Sequence, residues 1–397
     1  MRPRPKSTDS KALNIPVKRS ITPLKLGLVL SGGGSRAAYQ AGALKALIPY
    51  LEKHPDKISI IIGSSIGSVN GLVLAACMGE GLEHSVAQLQ ALWRKRNFRN
   101  TFAGSPRAAF FRAIRMAFVQ WMAPGPSPTK DAIFDPTPLM REVDDVILKH
   151  GGLSPTKRAS TIEAVGVMTT VEAMERKPLL FLSSHKEIPK EYMTGATFDV
   201  YQVEDLTARH GFASAALPSV LPPVEINTGS KKFQLVDGGI SQNVPVDPAV
   251  RLGAERVIIL DISGRAFWLD QYNEAHDSRP SWEVPAGIET FCMRPPETLV
   301  IRNREPFGPI LKHAVSSSSR KFAEALGATW PVFRLLKNKL GEELAYEVMT
   351  YVALDSDYIH GLIERGYQEA KAILAQHKSL HFEQHATFEE LVAASGE

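Results

Sequence analysis

A chain of 397 residues with 44% hydrophobic and 22% charged side chains can bury a sizeable core, which excludes global disorder. Its net charge of +4 is modest, and no recognition module accompanies the basic residues, so a nucleic-acid partner is not expected. Two cysteines, Cys77 and Cys292, make no disulfide framework and point to a reducing, cytoplasmic setting.

Residues 1–25 hold seven Lys/Arg against Asp9 alone, a net of +6 where the whole chain sums to +4. A basic, Pro- and Ser-containing stretch without an apolar centre is not a signal peptide, and residues 1–24 are expected to form a flexible leader. Two readings of it stay open: a solubilising tail, or a segment drawn to an anionic membrane surface. Residues 26–30 then read as a buried strand running into Ser31-Gly32-Gly33-Gly34-Ser35-Arg36. Ala41, Leu44, Leu47 and Ile48 at helical spacing predict a helix from Ala37 that Pro49 kinks or ends.

Residues 58–62 form a second, β-branched run, and it delivers Ser65 into the frame Gly63-Ser64-Ser65-Ile66-Gly67. That is the pattern of a nucleophile elbow, in which a sharp strand-to-helix turn exposes its strained residue and flanking glycines keep the approach open. By itself the pentapeptide fits a plain tight turn equally well. The apolar stretch 66–78, broken by Ser68, Asn70 and Gly71, is too short to span a bilayer and reads as the buried helix behind the elbow.

Strand, glycine turn and helix thus occur twice in succession. A parallel pair places both turns at the carboxyl ends of neighbouring strands, the edge where open α/β sheets bind ligands. Gly32, Gly33 and Gly34 can aim bare N–H groups at an anion there, which makes them candidate oxyanion donors for Ser65. Gly32-x-Gly34-x-x-Ala37 also fits a dinucleotide fingerprint, but that template needs an acid about 20 positions on, where this chain has Gly63-Ser64-Ser65. The absence of Gly-Lys-Ser/Thr after the glycines excludes a P-loop.

Between Arg94 and Lys130 lie eight Lys/Arg and no acids. Within it Arg112 and Arg115 interleave with Phe110, Phe111, Ile114, Phe118, Trp121 and Met122. As a helix this segment suits a lipid interface or packs its stripe on the core with the arginines solvated. Residues 123–128 form a Pro-rich loop or hinge, so 94–130 could make a movable cap. A helix follows from Asp135-Pro136-Thr137-Pro138 to about Lys149, then strands over 161–171, 179–183 and 233–236. The last of these ends in Asp237-Gly238-Gly239, followed by Asn243-Val244-Pro245, a short helix over 248–252 and a strand over 257–263. Asp-Gly-Gly is a common turn. Beside an elbow serine, however, Asp237 is a candidate base, because burial can lift a carboxylate above its ordinary value of about 3.9. The fold class is α/β, three layers around a mostly parallel central sheet. Residues 264–397 form a mainly helical region of unassigned role, with helical periodicity over 341–375.

Taken together, ordered blocks over about residues 25–262 resemble the patatin-like phospholipase family. Ser31 through Leu44 is similar to its glycine-rich block, Gly63-Ser64-Ser65-Ile66-Gly67 to its elbow, and Asp237-Gly238-Gly239 to its aspartate block, with Ser214 to Pro223 like the segment between. The resemblance implies a catalytic domain over 25–263, with Ser65 as nucleophile, Asp237 as base and the amides of Gly32, Gly33 and Gly34 holding the oxyanion. Arg36, Gly63, Gly67, Gly238 and Gly239 would support the site, Arg36 by bracing the loop or meeting a lipid phosphate unless it is merely a solvated helix-start residue. Ala37 departs from the family, where glycine often follows the arginine, and Ser31, Ser64 and Ser68 read as turn or capping residues. The implied activity is hydrolysis of acyl lipids, of phospholipase A or lysophospholipase type, by an enzyme peripheral at a membrane and needing no metal or organic cofactor. A Ser-His-Asp hydrolase using His276 or His313 is a different enzyme reading, and a non-catalytic lipid-binding or regulatory protein on the same fold is the alternative from another class.

Overall fold

The computed structural model describes residues 24–104, 109, 111–112, 132–172, 176–186, 193, 196–229, 231–263, 296–377 and 379–384. Most of the leader and most of the segment expected to cap the site lie outside the described residues. β1 (Leu26–Leu30) passes through a 3-10 turn (Gly34–Ala37) into α1 (Ala38–Leu51), and β2 (Ile58–Ser64) leads directly into α2 (Ile66–Cys77). Next come α3 (Leu82–Arg94), the one-turn α4 (Phe98–Thr101), α5 (Thr137–Lys149), β3 (Ala164–Val171), β4 (Pro178–Ser184) and β5 (Asp199–Gln202). Helix α6 (Ala208–Ser214) precedes β6 (Val224–Asn227) and β7 (Lys232–Val236), then α7 (Val246–Arg251), β8 (Arg256–Asp261) and β9 (Glu297–Arg302). The chain finishes with α8 (Gly308–Val315), α9 (Ser319–Leu326), α10 (Trp330–Leu340), α11 (Glu342–Met349) and α12 (Ser356–His377).

Seven strands follow the order β5-β4-β3-β2-β1-β8-β9, and the β6–β7 hairpin attaches to β3 through β7. The pairs β3–β2–β1–β8–β9 are all parallel, whereas β4 and β7 run antiparallel to β3. Strand alternation divides the apolar side chains between two faces. Leu26, Leu28 and Leu30 point into the larger core with α1 and α2, while Val29 joins Ile60, Ile62 and Val250 in the smaller one. The result is a three-layer α/β/α sandwich with a mostly parallel sheet.

One departure from the sequence reading has a simple cause. Pro49 does not end α1, which runs on to Leu51; a proline in the last turn removes one intrahelical bond close to where the helix stops. The C-terminal third is mainly helical, as expected, and adds one strand to the sheet, β9 pairing in parallel with β8 from Glu297 to Arg302. Helix α12 then lies against α1 at close approach: a Cβ on Gly42 would stand 1.9 Å from the Ile363 carbonyl oxygen, and one on Gly366 2.1 Å from that of Tyr39. No helix among the described residues is long and apolar enough to cross a membrane.

Candidate active site

Strand β2 ends by pairing Ser64 with Met168 on β3, and two residues further along β3 Thr170 pairs with Val236 on β7. β3 is therefore the shared neighbour that brings the end of β7, and with it Asp237, beside the turn after β2. Ser65 sits in that turn with φ 50 and ψ −135, a region costing a non-glycine residue on the order of 1–3 kcal/mol. Such strain persists only where the surroundings impose it. Here they leave no room for a gentler turn: a Cβ on Gly63 would lie 2.4 Å from Ser68 Cα, and one on Gly67 2.4 Å from the Ser31 carbonyl oxygen.

Ser65 Oγ donates a 2.7 Å hydrogen bond to Asp237 Oδ2, and the Gly239 N–H donates to Asp237 Oδ1 at 2.7 Å. Both side chains are buried. Glycine is required beside the aspartate, since a Cβ on Gly238 would meet the Met168 carbonyl at 2.1 Å and one on Gly239 the Asn243 Oδ1 at 2.6 Å. Burial pushes Asp237 from 3.8 up to about 6, with the hydrogen bonds from Ser65 and Gly239 pulling the other way. A carboxylate so placed is ionised near neutrality yet basic enough to accept a serine proton.

The same shift predicts a dependence of stability on pH. A folded pKa above the unfolded one contributes stability that is full below about 4 and is lost as pH rises through about 6. Asp237→Asn removes the buried charge and is expected to unfold later than the wild type at pH 8, by about 2–3 kcal/mol for a two-unit shift. The gap narrows toward pH 4. Denaturant titrations at the two pH values check this, and a wild type more stable than the variant at pH 8 contradicts it.

Across the cleft, the glycine loop closes β1 at the sheet edge. Its three residues are not equivalent. Gly32 donates its N–H to the Asn243 carbonyl at 3.2 Å, so its amide is committed to holding the loop, and its lack of a side chain leaves room for Ser65 Cβ, 2.7 Å from where a Cβ would be. Gly34 adopts φ +60 and packs so close to Tyr351 that a Cβ would be 2.1 Å from that carbonyl oxygen. The amides of Gly33 and Gly34 donate to no protein acceptor among the described residues, and both residues line the cavity beside Ser65. Two N–H groups at the start of a helical segment can hold a developing negative oxygen.

Arg36 meets neither lipid nor solvent. Its guanidinium is fully buried, donating to Thr350 Oγ1 at 2.6 Å, to the Glu347 carbonyl at 2.9 Å and to Glu347 Oε1 at 2.7 Å. It also stacks on the Tyr351 ring, 3.9 Å from the centroid. Ser35 follows suit, its N–H donating to the Tyr351 carbonyl and its hydroxyl to that of Thr350. The loop is thus tied to α11 and the turn after it. These partners, with Asn243, are the site residues that sequence reasoning missed, and no local signal marks them. Ser31 and Ser68 act as expected of turn residues, Ser31 Oγ accepting from the Ile262 N–H and Ser68 Oγ donating to the Ser65 carbonyl. Ser64 Oγ is buried with no partner among the described residues. Ala37, the departure from the family pattern, has φ −63 and ψ −11 and enters α1 without strain.

Ser65 and Asp237 open into a cavity of about 480 Å³ whose wall is mostly apolar, with Trp93, Phe102, Leu139, Phe212 and Leu221 around it. No histidine is among its described lining residues; His313 lies on α8, and His276 lies outside the described residues. A strained serine, a basic buried carboxylate, two free amides and an apolar pocket can together perform acyl transfer.

The model of the patatin-like phospholipase family matches residues 28–250. No curated protein matches the chain. Among solved structures, the type III effector ExoU of Pseudomonas aeruginosa is similar at 13% identity over 94% of this chain and 57% of its own, with a TM-score of 0.38. Human GIVD cytosolic phospholipase A2 gives 14%, 89%, 58% and 0.41, and VipD from Legionella pneumophila 13%, 89%, 67% and 0.36. This chain therefore spans less than two thirds of ExoU and of the human phospholipase. The family match covers more than half of the sequence and contains Ser65, Asp237 and the glycine loop: the chain belongs to the patatin-like phospholipase family.

Proposed function

We propose that the protein is a lipid acyl hydrolase that works through a Ser-Asp dyad. The observation that carries this reading is the 2.7 Å hydrogen bond from Ser65 Oγ to the buried Asp237 at the floor of an apolar cavity. Ser65 Oγ attacks the ester carbonyl carbon as its proton passes to Asp237 Oδ2. The oxyanion rests on the Gly33 and Gly34 amides. Collapse breaks the ester bond, the departing alcohol oxygen takes the proton from Asp237, and an acyl-serine remains. Water, deprotonated by Asp237, then attacks the acyl carbon, releasing the fatty acid and returning the proton to Ser65. The catalytic unit in this reading includes α11 and the turn after it, because Glu347, Thr350 and Tyr351 hold the glycine loop from behind.

The substrate is a phospholipid or lysophospholipid, whose acyl chain suits the apolar wall. The test is fatty-acid release from diacyl and lysophospholipid vesicles by the purified protein. Release by the wild type and none by Ser65→Ala supports the reading; no release from any acyl lipid by folded wild type contradicts it.

Such an enzyme works at a lipid surface, and α10 carries exposed apolar side chains that can meet one. Trp330, Val332, Leu335 and Leu340 are exposed on it, interleaved with Arg334, Lys337 and Lys339. Trp330 also borders a groove with Arg94, Lys95 and Arg99 that meets the cavity wall at Arg96 and Leu354. Apolar side chains among cations favour anionic bilayers. Trp330→Ala with Leu335→Ala is expected to lower turnover on anionic vesicles about tenfold while leaving a soluble short-chain ester unaffected. Equal losses on both substrates contradict an interfacial role.

A further inference from the structure

Three helices of the larger layer each have one end at the cavity. Helix α2 starts at the elbow, α3 ends just past Trp93, and α5 begins beside Pro136 and Leu139, all cavity-lining. Each is 12 or 13 residues long, so their other ends lie about 20 Å away at 1.5 Å per residue. There the chain assembles a second cluster. Glu80 in the turn after α2, His84 in the first turn of α3 and His150 at the C-cap of α5 bring one ligand atom each to within 4.8 Å of one another.

The geometry within the cluster is that of donors gathered around a common point. His150 Nδ1 stands 2.8 Å from Glu80 Oε1 and His84 Nε2 3.2 Å from Glu80 Oε2. The rings meet edge to face at 5.6 Å. Bonds of about 2.0–2.2 Å in a tetrahedron place ligand atoms about 3.3–3.6 Å apart, so the two contacts to Glu80, at 2.8 and 3.2 Å, would open slightly around an ion. A second observation points to a ligand: His84 Nε2 is buried and makes no hydrogen bond among the described residues, although it faces the carboxylate. His150 is itself only 6% exposed, so it is fixed rather than solvated. Two imidazoles and one carboxylate suit zinc and its late first-row neighbours, and are too few and too soft for calcium or magnesium.

We propose that Glu80, His84 and His150 form a zinc-class metal site, with water as the fourth ligand, that pins the ends of α2, α3 and α5 opposite the cavity. Its role is structural, and it stands or falls apart from the hydrolase reading. The test uses tag-free full-length protein titrated with zinc chloride, followed by calorimetry and by thermal unfolding. One zinc per chain is expected, with thermal unfolding raised by several degrees at about 100 µM zinc and unaffected by magnesium. His84→Ala, Glu80→Gln and His150→Ala should each weaken binding about tenfold or more. The first two change partly exposed side chains, so they keep the test sharp if His150→Ala does not fold. A wild type that binds no zinc, or His84→Ala and Glu80→Gln proteins that bind as tightly as wild type, overturns the assignment.

Discussion

Ser65→Ala and Asp237→Asn are each expected to lower kcat/KM for lipid-ester hydrolysis by about a thousandfold or more. The serine variant removes the atom that becomes acylated. The aspartate variant removes only the proton acceptor, since an asparagine oxygen can still receive the Gly239 N–H that now meets Asp237 Oδ1. Because the two side chains act as one unit, the double variant should be no slower than the worse single one. In the wild type, kcat/KM should rise about tenfold per pH unit up to the Asp237 value of about 6 and then level off, as the base must be ionised in the free enzyme. Steady-state fatty-acid release, with circular dichroism to verify folding, decides the matter. Either folded variant retaining a tenth or more of wild-type activity contradicts the dyad.

Arg36→Ala is expected to destabilise the fold by about 3–5 kcal/mol, the usual consequence of removing one partner of a buried ion pair. The guanidinium is 0% and Glu347 7% exposed, so screening by water is slight. Among the described residues the Glu347 carboxylate would keep only the Gly308 N–H donated to its Oε2 at 2.5 Å, and the space over Tyr351 and Phe307 would be left unfilled. Activity should fall with stability, because the same loop carries Gly33 and Gly34. Glu347→Gln should cost less, as its amide oxygen still accepts from Arg36. Urea unfolding measures both, and an Arg36→Ala change below about 1 kcal/mol would contradict the account.

What the sequence made legible was local. The short apolar runs that became β1 and β2, the glycines of the elbow and Asp237 at the end of β7 each announce themselves within a few residues. Their meeting was inferable from two strand-turn-helix units in succession and from the resemblance to a family. What stayed hidden depends on contacts hundreds of residues apart. Arg36 at a helix start looks solvated until Glu347 and Thr350 are placed around it. Gly32 looks like an oxyanion donor until Asn243 claims its amide. Strand β9 follows a long polar stretch and carries Glu297, Thr298 and Arg302, which mask its pairing with β8. The antiparallel entry of β4 against β3 likewise leaves no mark in a chain that otherwise reads as parallel.

The most direct measurement is mass mapping after reaction with a fluorophosphonate, which phosphonylates an activated serine. The account predicts one adduct per chain on Ser65, formed more slowly in Asp237→Asn and absent in Ser65→Ala. An adduct on another residue with Ser65 unmodified, or no adduct on folded protein with or without lipid vesicles, would contradict it.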